Sequence, residues 1–121
     1  MAAGLILFAH GARDAGWAEP FQRLVGLVRE AAPGRDVRLA FLELMQPTLR
    51  EAAASMVEAG ASEIRIVPVF LGQGGHVRED LPALIESLRS AHPGVDIYCV
   101  APVGEDDSVL QAIVGYCLRQ L

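Results

Sequence analysis

The sequence predicts an α/β fold: a single-domain, three-layer sandwich whose four-stranded parallel sheet carries helices on both faces. Two observations predict it. Four apolar segments of strand length alternate with four segments of helical period, and right-handed crossovers turn that β-α-β-α-β-α-β-α order into a parallel sheet. The third apolar segment, Ile64-Arg65-Ile66-Val67-Pro68-Val69-Phe70-Leu71, is nearly unbroken, as a strand covered on both faces requires.

The first strand is read over residues 4–9, with Leu5, Ile6, Leu7 and Phe8 in succession. Trp17, Phe21, Leu24, Val25 and Val28 then fall at i, i+4, i+7, i+8 and i+11, one face of a helix. A second strand follows over 37–44, and a second helix face through Leu49, Ala52, Ala53, Met56 and Val57, ended by Gly60. The third strand, 64–71, contains Pro68, which removes a ladder hydrogen bond, so a local irregularity is expected there. The third helix shows its period at Leu81, Leu84, Ile85 and Leu88, with Leu81-Pro82 suited to its first turn and His92-Pro93-Gly94 as its stop. Residues 95–101 form the last strand through Val95, Ile97, Tyr98, Cys99 and Val100. Val109, Ile113, Val114, Cys117 and Leu121 give the fourth helix, with Asp107 or Ser108 as its N-cap. No repeat, linker or low-complexity stretch interrupts the order, so residues 1–121 are read as one domain, large enough to bury a core without staples.

Composition excludes several classes of function. A net charge of −5 argues against a nucleic-acid partner, and an acidic substrate would need local arginines rather than a global field. The chain has no lysine, which removes Schiff-base chemistry and a P-loop lysine. No apolar run approaches the ~20 residues that cross a bilayer, and the start lacks a basic n-region, so a cytoplasmic protein without a membrane partner is expected. Cys99 and Cys117 form neither a disulfide framework nor a metal spacing and read as small hydrophobes.

The chemistry concentrates at two of the three histidines. His10 and His76 each follow an apolar strand in a glycine-bearing turn. On neighbouring parallel strands both would lie at the carboxyl edge, where open α/β sheets bind ligands. Neutral imidazole is both a metal ligand and a base near pH 7. His10 precedes Gly11, Arg13 and Asp14, a turn whose backbone N–H groups could meet an anion; the residues alone allow a simple strand cap equally well. In Gly72-Gln73-Gly74-Gly75-His76 three glycines permit close backbone approach, and Arg78, Glu79 and Asp80 follow; the alternative is a loop of solvated charges. Glu43 sits among Phe41, Leu42, Leu44 and Met45, either aimed into a pocket or turned to water. His92 falls at a helix end on the opposite edge, where its charge would suit the helix dipole, and reads as structural. Two histidines do not close a zinc-like site, which takes at least three protein ligands. They suit an open site that holds a metal in passing, with water, Glu43 or the substrate completing the shell.

At these residues the chain resembles the small, single-domain CbiX-type tetrapyrrole chelatases: the sirohydrochlorin cobaltochelatases and their ferrochelatase relatives. The resemblance runs the whole length. It rests on Ala9-His10-Gly11-Ala12-Arg13-Asp14, on Phe41-Leu42-Glu43 with Gln46-Pro47-Thr48-Leu49, and most specifically on Ile66-Val67-Pro68-Val69-Phe70-Leu71 leading into Gly74-Gly75-His76 and Asp80-Leu81-Pro82. The strand proline recurs in that family. The first motif departs from the usual Gly-His-Gly-Ser-Arg at Ala9 and Ala12, which bears on substrate preference more than on chemistry.

The resemblance implies an enzyme, a lyase of cobalamin or sirohaem biosynthesis. Its metal, Co2+ or else Fe2+ or Ni2+, is a substrate, and no cofactor is permanently bound. His10 and His76 carry over as the metal-binding and proton-abstracting histidines, facing each other across a cleft. Glu43 would accept or relay protons. Arg13 and Arg78 would pair with the carboxylates of the tetrapyrrole, with Arg50 a weaker candidate, and Gly74 and Gly75 would lie against the macrocycle. A homodimer would build the enclosure that relatives of double length make from two domains. Two other readings compete. A mannose-type EIIA phosphotransfer domain would use His10-Gly11 but leave Gly74-Gly75-His76 and Asp80 idle, and a non-catalytic metal carrier would use the same histidines without insertion.

Overall fold

The computed structural model describes residues 3–121. It runs β1 (Ala3–Ala9), α1 (Glu19–Ala31), β2 (Asp36–Phe41), α2 (Leu49–Glu58), β3 (Glu63–Pro68), α3 (Gly75–Ala91), β4 (Asp96–Cys99) and α4 (Asp107–Leu118), with 3-10 turns at Ala15–Ala18 and Val103–Glu105. The sheet order is β2-β1-β3-β4, and all three pairings are parallel.

Strand alternation sorts the core into two layers. Ile6 and Phe8 of β1, with Ile64 and Ile66 of β3 and Ile97 of β4, point to the first face and meet Ala52, Ala53 and Met56 of α2 and Leu81, Ile85 and Leu88 of α3. The small alanines let α2 lie close, and Met56 fills the space above Gly4, where a Cβ would overlap the Met56 sulfur. On the second face Leu7 and Val37 pack under Val25 of α1. The helices therefore cover both faces, as the alternation requires, but α1 covers mainly the β1–β2 half of the second face. None of the residues of α4 is buried.

Several boundaries differ from expectation: β2 ends at Phe41 and β4 spans only Asp96–Cys99, and three further differences have a local reason. β3 ends at Pro68. Its neighbour Val69 donates to Phe8 O at 2.8 Å, so the missing N–H of Pro68 faces β4, whose final bond, Val100 N–H to Ile66 O at 3.0 Å, has already been made. The proline thus closes the β3–β4 ladder, because the next bond in register would need the N–H that it lacks. α3 starts at Gly75 with Gly74 as N-cap, which puts Pro82 inside the helix instead of in its first turn. Val77 explains the early start: it is buried and extends the Leu81, Ile85, Leu88 stripe by one turn. α4 is capped by Asp106, not Asp107 or Ser108; the Asp106 carboxylate accepts from Val109 N–H at 3.2 Å.

Candidate functional site at the carboxyl edge of the sheet

The chain leaving β1 is stitched to the chain leaving β2. Leu42 N–H donates to Ala9 O at 2.9 Å and Glu43 N–H to His10 O at 3.1 Å. Gly11 makes this approach possible: its φ is 94°, and a Cβ there would overlap the Glu43 carbonyl oxygen. The second strand stops at Phe41, so Glu43 lies in the turn beyond it and is exposed, not on the pleat as the longer strand would place it. The turn closes through Met45 N–H to Glu43 O at 2.8 Å and Phe41 N–H to Pro47 O at 2.9 Å, with Leu44 at φ 63° and a cis Gln46–Pro47 bond. Thr48 then starts α2 through a reciprocal capping box with Glu51, at 3.2 and 2.8 Å.

Beside this, the His10 ring rests on Phe70, ring centroids 4.3 Å apart. Phe70 is buried and packs in turn on Phe8 at 5.9 Å. The imidazole is half-buried on a fixed apolar platform, which restricts its rotation. Asp14 next to this turn is spoken for: its carboxylate caps the first 3-10 turn by accepting from Gly16 N–H at 3.0 Å.

His76 sits in the first turn of α3, and its side chain is 87% exposed. Nε2 lies 3.0 Å from an Asp80 carboxylate oxygen one turn further on. An exposed pair of this kind adds little stability, but it orients the ring and leaves Nδ1 free. Arg78 reaches back to Gln73 O at 3.3 Å, and its own N–H donates to Gly74 O at 3.1 Å, so the glycine turn is held at both ends. Arg13 and Arg50 are exposed. His92 is the C-cap of α3, its N–H donating to Leu88 O at 3.0 Å, on the opposite edge from His10 and His76.

His10 and His76 thus lie beyond the carboxyl ends of β1 and β3, which are neighbours in the sheet. Glu43 is brought to His10 through the backbone, and Arg13 and Arg78 belong to the same two turns. Among the described residues no three His, Cys, Asp or Glu side chains converge as a metal cage. Two contributors escaped the sequence reading. Phe70 looked like one more strand residue, and only the exit angle of β3 puts it under His10. Asp80 was visible beside His76, but the i, i+4 relation that pairs them needed the helix to start at Gly75.

A parallel doubly wound sheet with two histidine-bearing turns at its carboxyl edge defines the class: a small α/β protein with an open ligand edge. The chain belongs to the CbiX family, whose family model matches residues 4–116. A sirohydrochlorin cobaltochelatase of Methanopyrus kandleri is 32% identical over 81 residues, covering 67% of this chain and 57% of that one. The crystal structure of a cobalamin-biosynthesis CbiX protein from Marinobacter aquaeolei superimposes with a TM-score of 0.87 at 33% identity, covering 98% and 96% of the two chains. The sirohydrochlorin chelatase SirB from Bacillus subtilis subspecies spizizenii, solved in complex with cobalt, gives 0.75 at 28% identity; the match takes 95% of this chain but 49% of SirB. The chain therefore spans about half the length of some of the relatives it matches.

Proposed function

We propose that the protein inserts a divalent metal, Co2+ or alternatively Fe2+ or Ni2+, into sirohydrochlorin or a closely related tetrapyrrole. The observation that carries this reading is the pair of histidine turns beyond neighbouring strands β1 and β3, one locked to Glu43 and the other to Asp80. The reaction must strip water from the metal, remove two pyrrole protons and hold the ring distorted while the ion enters. In this reading His10, steadied on Phe70, coordinates the incoming ion, and His76 takes a pyrrole proton with Asp80 stabilising the imidazolium that forms. Glu43, exposed beside the His10 carbonyl, receives or relays the second proton. The metal arrives as M2+ and two protons leave, so the macrocycle gains no net charge.

Sirohydrochlorin carries several carboxylates. Arg13 and Arg78, one on each histidine turn, are assigned to them, because guanidinium groups bind carboxylates in a fork. Gly74 and Gly75 leave a Cβ-free stretch against which a flat ring could lie. The edge is open on one side, so the reading includes a homodimer that encloses it. Family membership favours insertion over phosphotransfer at His10, which leaves His76, Asp80 and the glycine turn without work.

The test is the absorbance spectrum of sirohydrochlorin mixed with Co2+, Fe2+ or Ni2+ and catalytic amounts of protein. Insertion predicts conversion of the metal-free spectrum at rates well above the protein-free control. Metal binding with no acceleration would mean a carrier.

A further inference from the structure

Outside α4 and the residues after it, the most exposed large apolar side chains among the described residues are Leu71 and Leu44, at 67% and 60%. A single exposed leucine is ordinary. These two share one place. Leu44 lies three residues beyond the end of β2 and Leu71 three beyond the end of β3, while His10 directly follows β1, the strand between them. With neighbouring strands about 4.8 Å apart, β2 and β3 stand roughly 10 Å apart across β1. The two leucines therefore flank the half-buried histidine along the carboxyl edge.

Each is held out by its backbone. Leu44 is the centre of a three-residue turn: its φ is 63°, and Met45 N–H donates across it to Glu43 O at 2.8 Å. This is the strained form of the γ-turn, in a left-handed region that suits glycine or asparagine and penalises a bulky side chain. Burial does not offset that cost, since the leucine stays in solvent. Strained residues persist where their surroundings over-determine them, and they cluster at ligand clamps. Here the surroundings include the bond that holds Glu43 against the His10 carbonyl at 3.1 Å. Leu71 is fixed by the turn after β4. Gly104 N–H donates to Phe70 O at 3.0 Å, and a Cβ at Gly104 would overlap the Leu71 carbonyl oxygen, so that turn clasps Phe70 and Leu71 together. Phe70 is buried against the His10 ring, and Leu71 is left outside.

We propose that Leu44 and Leu71 are substrate-binding residues that grip the flat apolar face of a tetrapyrrole on either side of His10. The proposal rests on the metal-insertion reading and adds to it the contact that holds the ring. Charge and position identify the occupant. A molecule that covers both leucines also covers His10 between them, so it is one that reaches the histidine. Arg13 and Arg78 stand exposed on the turns after β1 and β3, which calls for an anionic rim. Gly74 and Gly75 add no side chain that would keep a plane away. An apolar plane with a carboxylate rim meets all three conditions. The arginines suit any polycarboxylate; the leucines add the ring, because only an apolar surface gains from covering them.

The test is equilibrium binding of metal-free sirohydrochlorin, read by quenching of Trp17 fluorescence. Trp17 is the chain's only tryptophan, and it packs on the same Ala9, Ala18 and Phe41 cluster as Met45, the neighbour of Leu44. Leu44→Asn and Leu71→Asn are each expected to weaken binding about 10-fold, the effect of uncovering one well-buried leucine. Leu44→Asn is expected to melt no lower than the wild type, because asparagine tolerates the left-handed backbone. Leu44→Met is expected to keep wild-type binding. Wild-type affinity in either asparagine variant overturns the proposal. So does a loss of binding that comes with a changed sedimenting mass, which would mean that the leucines seat a second copy of the chain. Wild-type insertion, measured beside it, separates the two proposals. A wild type that binds the ring through both leucines yet inserts no metal removes the function and keeps the contact. An active wild type whose asparagine variants bind as tightly does the reverse, and a wild type that does not bind sirohydrochlorin removes both.

Discussion

At the scale of single residues, the site depends on backbone contacts that leave no room for substitution. Gly11 is the clearest case, since its positive φ and the Glu43 carbonyl together exclude any side chain. Gly11→Ala is expected to cost about 1–3 kcal/mol, read as a lower thermal midpoint. It should also slow insertion by more than its stability loss explains, because His10 and Glu43 move apart. The glycine itself was legible in the sequence; the carbonyl it makes way for was not, because that contact joins the ends of two strands 32 residues apart. Cys99 offers an independent check on the packing. Burial pushes its thiol up, opposed in part by the nearby Arg89 guanidinium. A raised thiol stays protonated where a free one ionises, so alkylation of Cys99 should lag behind a small-molecule thiol at pH 8–9, near the usual thiol value. By the same sign, its contribution to stability is complete below the usual thiol pKa and is lost as pH climbs through the raised one. Equal alkylation rates would show that β4 opens freely.

At the scale of elements, α2 is set by a device readable from Thr48-x-x-Glu51 alone. Thr48→Ala should cost about 1 kcal/mol, seen as a lower urea midpoint with an unchanged slope. The same helix also carries the turn that places Glu43, so the variant should weaken that turn as well. α3 shows how a strong composition signal can hide a weaker one. Gly74 and Gly75 read as loop, yet Val77 already stood four residues before Leu81 on the same stripe. Packing of one valine outweighed the low helix propensity of the glycines. The consequence for function is real: His76 becomes a helical residue with Asp80 one turn away, instead of a loop residue with solvated neighbours. α4 was legible as a helix from its period, but period did not show that none of its residues would be buried.

At the scale of the whole molecule, the alternation of apolar runs and helical periods was enough for the parallel sheet and its two-sided cover. The carboxyl-edge placement of His10 and His76 followed from that topology, because any residue just after a parallel strand must lie there. The facing of side chains did not follow, since it depends on strand ends that differ by two or three residues from the apolar runs. Pro68 illustrates this: it looked like an irregularity inside a strand of eight residues, and it is where the strand ends. In the proposed function His10 and His76 together move a metal into a tetrapyrrole. The direct measurement is the initial rate of Co2+ insertion into sirohydrochlorin by the wild type, His10→Ala and His76→Ala at equal folded concentration. Each substitution is expected to lower the rate by about 100-fold or more; full wild-type rates in both variants would contradict the claim.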